Sequence, residues 1–188
     1  MVPVLEKTMT WRGFREMEIP DYEQHFTFEL IDGMIVKRGA PSIPHQKAVI
    51  RMASLLLQHV DKHQMGLVLP APMDVFFDDG NGFQPDICFV SKDRSFLLDN
   101  GQYINGAPDL VVEVLSPGTG KNDRMTKKDV YERYAVKEYW IIDPIYHMVE
   151  VYSMRNNALQ LIAAQEGTGK IESVLLPGFE VQIETLFE

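Results

Sequence analysis

Two acids stand inside otherwise apolar stretches of the chain: Glu113 in Leu110-Val111-Val112-Glu113-Val114-Leu115 and Asp86 in Pro85-Asp86-Ile87-Cys88-Phe89-Val90. Unbroken aliphatic runs of this length read as strands covered on both faces. A carboxylate there costs several kcal/mol unless it is partnered, and otherwise takes up a proton. Three kinds of partner would serve: a basic side chain, a metal ion, or a cleft opening at the carboxyl end of the strand. Side chains alternate along a strand, so Asp86 shares its face with Gln84 and Cys88 while Ile87 and Phe89 point the other way. Two acids on adjacent core strands offer the hard oxygen ligands that Mg2+ or Mn2+ takes, leaving positions for waters and a phosphate. Hydrolysis of a phosphodiester also gains from a cation near the attacking water or the charge growing on phosphorus. The helix predicted over 122–135 can supply one, because Asp123, Lys127, Val130, Tyr131 and Tyr134 fall along a single stripe. Lys127 is therefore on the packing face. Lys128 lies about 100° further round with Glu132 four residues on, an ordinary solvent-side pair.

Plainer readings compete at each position. Glu113 could form a buried ion pair with Lys127 or an arginine, Asp86 could simply begin a strand, and Lys127 could snorkel from the helix edge. His45 is either a helix-start hydrogen bonder or, with Gln84, a pocket residue; Glu29 is a strand-surface acid unless its hairpin folds over the cleft. Two further patterns carry less. His59 and His63 are spaced as in a helical zinc site, but no Glu follows His59 and no third ligand is evident. Gly118-Thr119-Gly120-Lys121 lies between strand and helix like a phosphate loop, yet its first glycine position is Leu115 and Asn122 replaces the Ser or Thr that binds magnesium. Lys121 and Arg124 could still contact a phosphate backbone.

The elements that must position these side chains are legible. Thr10 caps a short helix over 11–17, and 26–38 reads as a hairpin turning at Asp32-Gly33. Ser42 and Pro44 open a helix reaching to about His63, its inner face made of Val49, Met52, Ala53, Leu56, Leu57 and Val60. Strands are predicted at 67–69, 74–77 and 85–90, with the cluster 78–82 turning the chain between the last two. Strand 110–115, helix 122–135 and strand 139–142 form a crossover unit with parallel strands. Short, mostly antiparallel strands at 148–152, 159–163 and 172–175 widen the sheet. The expected class is α/β: a mixed central sheet flanked by helices, with an N-terminal hairpin and C-terminal antiparallel strands.

The chain has 188 residues, which fits one domain over 1–188 with a core at about 26–153. No apolar run approaches the ~20 residues of a membrane helix, and the N-terminus lacks the pattern of a secretory signal, so a cytoplasmic protein is expected. The lone Cys88 can form no internal disulfide. A net charge of −9 weighs against a surface that grips nucleic acid non-specifically. A local cleft or a divalent ion can reverse that sign where a substrate sits.

Taken as a set, Pro85-Asp86, Glu113-Val114-Leu115-Ser116-Pro117, Asp123 with Lys127, Tyr131, and Glu138 through Pro144 resemble the Uma-type bacterial family of restriction endonuclease-like proteins, a branch of the PD-(D/E)xK nuclease superfamily. Phe28 through Gly33 and His45 match its N-terminal half, and the resemblance spans about residues 20–155. It implies a restriction endonuclease-like core and a Mg2+- or Mn2+-dependent nuclease acting on DNA. Asp86, Glu113 and the Val114 carbonyl would hold the ion, and Lys127 would assist the attacking water. One departure stands out: the superfamily's lysine lies two residues after the acid, where this chain has Leu115, so Lys127 would reach the same space from the helix. Cutting both strands of a duplex would favour a symmetric homodimer. The alternatives are a binding or regulatory module that keeps the fold without turnover, and hydrolysis of a smaller phosphate ester.

Overall fold

The computed structural model describes residues 8–23, 26–116, 120 and 123–188. The hairpin pairs β1 (Thr27–Ile31) with β2 (Met34–Arg38), and its turn places Asp32 at φ 48° and Gly33 at φ 76°. Positive φ at both turn residues matches the twist of the flanking strands, which is why Asp-Gly stands there. Ahead of it, α1 (Trp11–Arg15) is capped by the Thr10 hydroxyl, which accepts from the Gly13 N–H. α2 (Ile43–His63) follows the hairpin, capped by Ser42.

The next strands are β3 (Gly66–Pro70), β4 (Val75–Asp78), β5 (Asn81–Phe83), β6 (Ile87–Ser91) and β7 (Ile104–Asn105). After β8 (Leu110–Val114), a π-helical turn over Asp123–Lys127 runs into α3 (Lys128–Arg133), and β9 (Glu138–Asp143) closes the crossover. β10 (Met148–Arg155), β11 (Ala158–Glu166), β12 (Lys170–Glu172) and β13 (Glu180–Gln182) complete the chain.

Six strands form a mixed sheet in the order β11-β10-β9-β8-β6-β3, in which only β8 and β9 run parallel. Five others form a second sheet, β2-β1-β5-β4-β7. Alternation along β8 divides the interior in two. Leu110, Val112 and Val114 pack with Met52, Leu56 and Val60 of α2, while Val111 and Leu115 face a second core with Val75, Phe77 and Phe83 of the second sheet and Val130 and Tyr131 of α3. Glu113 shares the face of Val111 and Leu115, so it points between the two sheets beneath α3. Among the described residues no helix is long and apolar enough to cross a membrane.

Several sequence expectations shift. Residues 78–82 are more than a turn: Asn81 and Gly82 begin β5, a strand between β1 and β4. A Cβ on Gly82 would lie 2.1 Å from the Trp11 ring, so glycine there lets α1 dock on the sheet. Leu57 lies off the inner face of α2 and is 46% exposed, while Ala48 is fully buried. The strand expected at 172–175 ends at Glu172, because Val174 and Leu175 turn their N–H groups onto the buried Glu138 carboxylate. The predicted helix 122–135 starts, among described residues, with the π-turn at Asp123; it gives way at Tyr134, and Ala135 takes φ 58°.

Candidate active site

The carboxyl half of β8, the entry to β6, the hairpin and the π-turn meet at one buried cluster. Glu113 is fully buried, Lys127 is 1% exposed and Asp86 5%. Glu113 Oε1 accepts from Lys127 Nζ at 2.9 Å and from the Tyr131 hydroxyl at 2.7 Å. Lys127 Nζ also donates to Glu29 Oε1 at 2.8 Å and lies 3.4 Å from Asp123 Oδ1. The π-turn brings Asp123 and Lys127, four apart, together at the cluster.

Asp86 belongs to the same cluster from the other side. Its Oδ2 accepts from the Val114 N–H at 2.7 Å and lies 3.3 Å from His45 Nε2. The Ser42 cap and helical start of α2 hold His45 there. Arg38, at the end of β2, spans the two acids: Nη2 is 3.9 Å from Asp86 Oδ1 and Nη1 is 4.0 Å from Glu113 Oε2. The same Nη1 donates to Glu29 Oε1 and to the Gln84 carbonyl, each at 3.2 Å. Glu29, read from sequence as a strand-surface acid unless the hairpin folds over, is buried because the hairpin does fold over. The Glu29 carboxylate also accepts from the Gln84 N–H at 2.9 Å, and the Gln84 side chain donates to Asp74 instead of entering the cluster. A cavity of about 260 Å³ opens beside these groups, lined in part by Arg38, His45, Gln84, Asp86 and Ser116.

Four carboxylates, Glu29, Asp86, Glu113 and Asp123, thus share two permanent cations, Lys127 and Arg38. Burial pushes the Glu113 carboxyl up to about 8, against the pull of Lys127 and with the push of Asp123 and Asp86. Burial opposes the charge on Lys127, but Glu113 and Glu29 outweigh it and hold the ammonium above its ordinary value. Burial also opposes the charge on Asp86, and His45, Arg38 and the Val114 N–H outweigh it, keeping its carboxyl below the ordinary value. Burial and the neighbouring acids thus resist the charge on Glu113, while the charges on Lys127 and Asp86 are held by their partners.

The donor set suits a divalent ion. Asp86, which stands just ahead of β6 and not inside a strand over 85–90 as expected, and Glu113 of β8 each spend one oxygen on protein donors; the other, Asp86 Oδ1 or Glu113 Oε2, faces Arg38, and Glu113 Oε2 has no hydrogen-bond partner. An ion of charge two would balance four carboxylates and two cations. Among the described residues, however, no three acids, histidines or cysteines converge on one point as a ready-made metal site, since Lys127 and Arg38 stand among the acids.

The other expected residues fall elsewhere. Arg124 is ion-paired with Glu150 and lies 3.7 Å from Asp143, so it is engaged within the protein. Lys121 lies outside the described residues. Lys128 pairs with Glu132 at 3.6 Å, as the helical spacing predicts. The His59 and His63 rings lie 4.6 Å apart at a tilt of 42°, with no third ligand among the described residues. Sequence reasoning did not single out Arg38, and it placed Tyr131 on the packing face without assigning its hydroxyl, which donates to Glu113.

A mixed sheet whose parallel pair β8–β9 is joined through α3, with the acids at its carboxyl half, defines a restriction endonuclease-like α/β fold. The crystal structure of a putative nuclease belonging to DUF820 from Anabaena variabilis ATCC 29413 shares it, with a TM-score of 0.75 at 19% identity over 95% of this chain and 97% of that one. The family model Uma2, "Putative restriction endonuclease", matches residues 11–184, and the chain belongs to that family. No functionally curated protein matches it.

Proposed function

We propose that the protein is a divalent-metal-dependent endonuclease that hydrolyses phosphodiester bonds in DNA, with Mg2+ or Mn2+ as the ion and Asp86, Glu113 and the Val114 carbonyl as its ligands. The observation that carries this reading is the buried excess of acid among the described residues: four carboxylates for two permanent cations, with Asp86 Oδ1 and Glu113 Oε2 both facing the Arg38 guanidinium and Glu113 Oε2 without a hydrogen bond. When bound, the ion supplies positive charge to the phosphate and lowers the cost of forming a nucleophile from water.

The chain's own residues do the positioning. His45 and the Val114 N–H fix the Asp86 carboxylate, and Tyr131 with Lys127 fixes that of Glu113. Lys127, held charged by Glu113 and Glu29, fixes the Glu113 carboxylate and steadies negative charge beside it, the place from which it would assist an attacking water. The cavity beside Asp86 gives the substrate access, and a single domain over 1–188, assembled as a symmetric cytoplasmic homodimer, fits cleavage of both strands of a duplex. A net charge of −9 makes the ion the main attraction for phosphate.

The test is cleavage of supercoiled plasmid in Mn2+ and in Mg2+ by the wild type and by Asp86→Asn and Glu113→Gln. Nicking that needs metal and disappears in both variants supports the reading. Nicking that persists in the variants would assign the activity to other groups, and no cleavage by any of the proteins would favour a binding module that keeps the fold without turnover.

A further inference from the structure

We propose that Arg38 is a resident stand-in for the ion: in the metal-free protein its guanidinium neutralises the Asp86–Glu113 pair, and it competes with a divalent cation for that pair. The inference rests on the metal-binding reading above and assigns a positioning residue to it. Arg38 approaches the two oxygens that are turned away from Lys127, Tyr131, Val114 and His45, namely Asp86 Oδ1 at 3.9 Å and Glu113 Oε2 at 4.0 Å. These separations are too long for hydrogen bonds, so the attraction is through space and no bond to either acid must break for the guanidinium to withdraw. Its actual hydrogen bonds, at 3.2 Å, run to Glu29 and to the Gln84 carbonyl, which hold it over the acids from the hairpin side.

Lys127 cannot play this part. It bonds the opposite oxygen of Glu113, is sealed by Glu29 and Asp123, and is almost wholly buried. Arg38 instead lines the cavity of about 260 Å³ beside Asp86, which gives its head group room to move and a hydrated ion room to enter. Two cations cannot share those oxygens cheaply, because like charges about 4 Å apart in a partly buried site repel strongly. Metal affinity is then set by the acids together with how readily Arg38 leaves them.

The experiment is calorimetric titration of Mn2+ into metal-free wild type, Arg38→Met and Arg38→Lys. It is joined by a Mg2+ titration of 15N-arginine-labelled wild type, following the Arg38 guanidinium signal. Arg38→Met should bind Mn2+ roughly tenfold more tightly, Arg38→Lys should fall between the two, and saturating Mg2+ should shift the wild-type signal. Equal or weaker binding by a folded Arg38→Met protein, or a guanidinium signal unmoved at Mg2+ saturation, would overturn the proposal while leaving the metal reading intact. Absence of binding to all three proteins would overturn the metal reading and this inference with it. Should Arg38→Met fail to fold, the wild-type signal decides alone.

Discussion

The two ends of the parallel pair β8–β9 treat buried carboxylates in opposite ways. At the amino end, Glu138 accepts from Trp140 Nε1 at 2.7 Å, Ser173 Oγ at 2.6 Å, Val174 N at 2.8 Å and Leu175 N at 2.9 Å. Asp109 beside it takes the Ser91 N–H at 2.8 Å and pairs with Lys137 at 2.7 Å and Arg94 at 3.2 Å. These acids tie the C-terminal segment and the β6 exit to the sheet, and their charge is met by protein donors. At the carboxyl end, Glu113 leaves one oxygen without a hydrogen bond and shares Lys127 with two other acids. Asp109 Oδ1 also lacks a hydrogen bond but has Lys137 and Arg94 in close ion pairs, whereas the nearest cation to Glu113 Oε2 is Arg38 at 4.0 Å, so only Glu113 is left with unspent capacity.

That contrast can be attacked by mutation. The largest effect is expected for Glu138→Ala, which strands an indole and two backbone N–H groups and should cost about 4 kcal/mol in urea unfolding. Glu113→Gln, at the under-satisfied end, should not lower metal-free stability at neutral pH, because it removes surplus charge and keeps an oxygen for Lys127 and Tyr131. A comparable loss in both would break the comparison. Lys127→Met comes next: it strips Glu113, Glu29 and Asp123 of their cation, and a loss of about 3 kcal/mol is expected, smaller at low pH where the acids are protonated.

The ends should also differ in the sign of their pH dependence. Burial pushes the Asp109 carboxyl up, and Lys137, the Ser91 N–H and Arg94 outweigh it, leaving it below its ordinary value. Its contribution to stability is present above the unfolded pKa and disappears as pH falls through the folded one. Glu113 runs the other way: raised from 4.5 to about 8, its effect is most favourable below 4.5 and declines as pH climbs to about 8. Urea titrations across this range should show Asp109→Asn flattening the acid limb and Glu113→Gln flattening the slope between pH 5 and 8. The smallest effect, about 1 kcal/mol, is expected for Ser42→Ala, which removes the cap of the helix that presents His45 to Asp86.

Local chemistry explains what could be read from sequence. The aliphatic run around Glu113, the Asp-Gly turn and the Ser42-Pro44 helix start each depend on neighbours in the chain, and each stands where predicted. The stripe of Asp123, Lys127 and Tyr131 likewise foretold which helical face meets Glu113. Arg38 could not be found this way, since its place over two acids depends on the hairpin folding across β6 and β8, more than 45 residues downstream. The division into two sheets was hidden for the same reason: β5 hides in a Gly-rich stretch that reads as a turn and gains its strand character from β1 and β4. Glu138 lay just ahead of the strand predicted at 139–142, and nothing in the sequence marked it as the acceptor that stops the strand predicted at 172–175.

The most direct test of the central claim is calorimetric titration of Mn2+ into the metal-free wild type, Asp86→Asn and Glu113→Gln, with Glu138→Gln as the structural-end control if it folds. Binding by the wild type, retained by Glu138→Gln and lost in the other two, is the predicted result. A wild type that binds no ion, or binding that survives both Asp86→Asn and Glu113→Gln, would contradict it and make the cluster a structural ion-pair network.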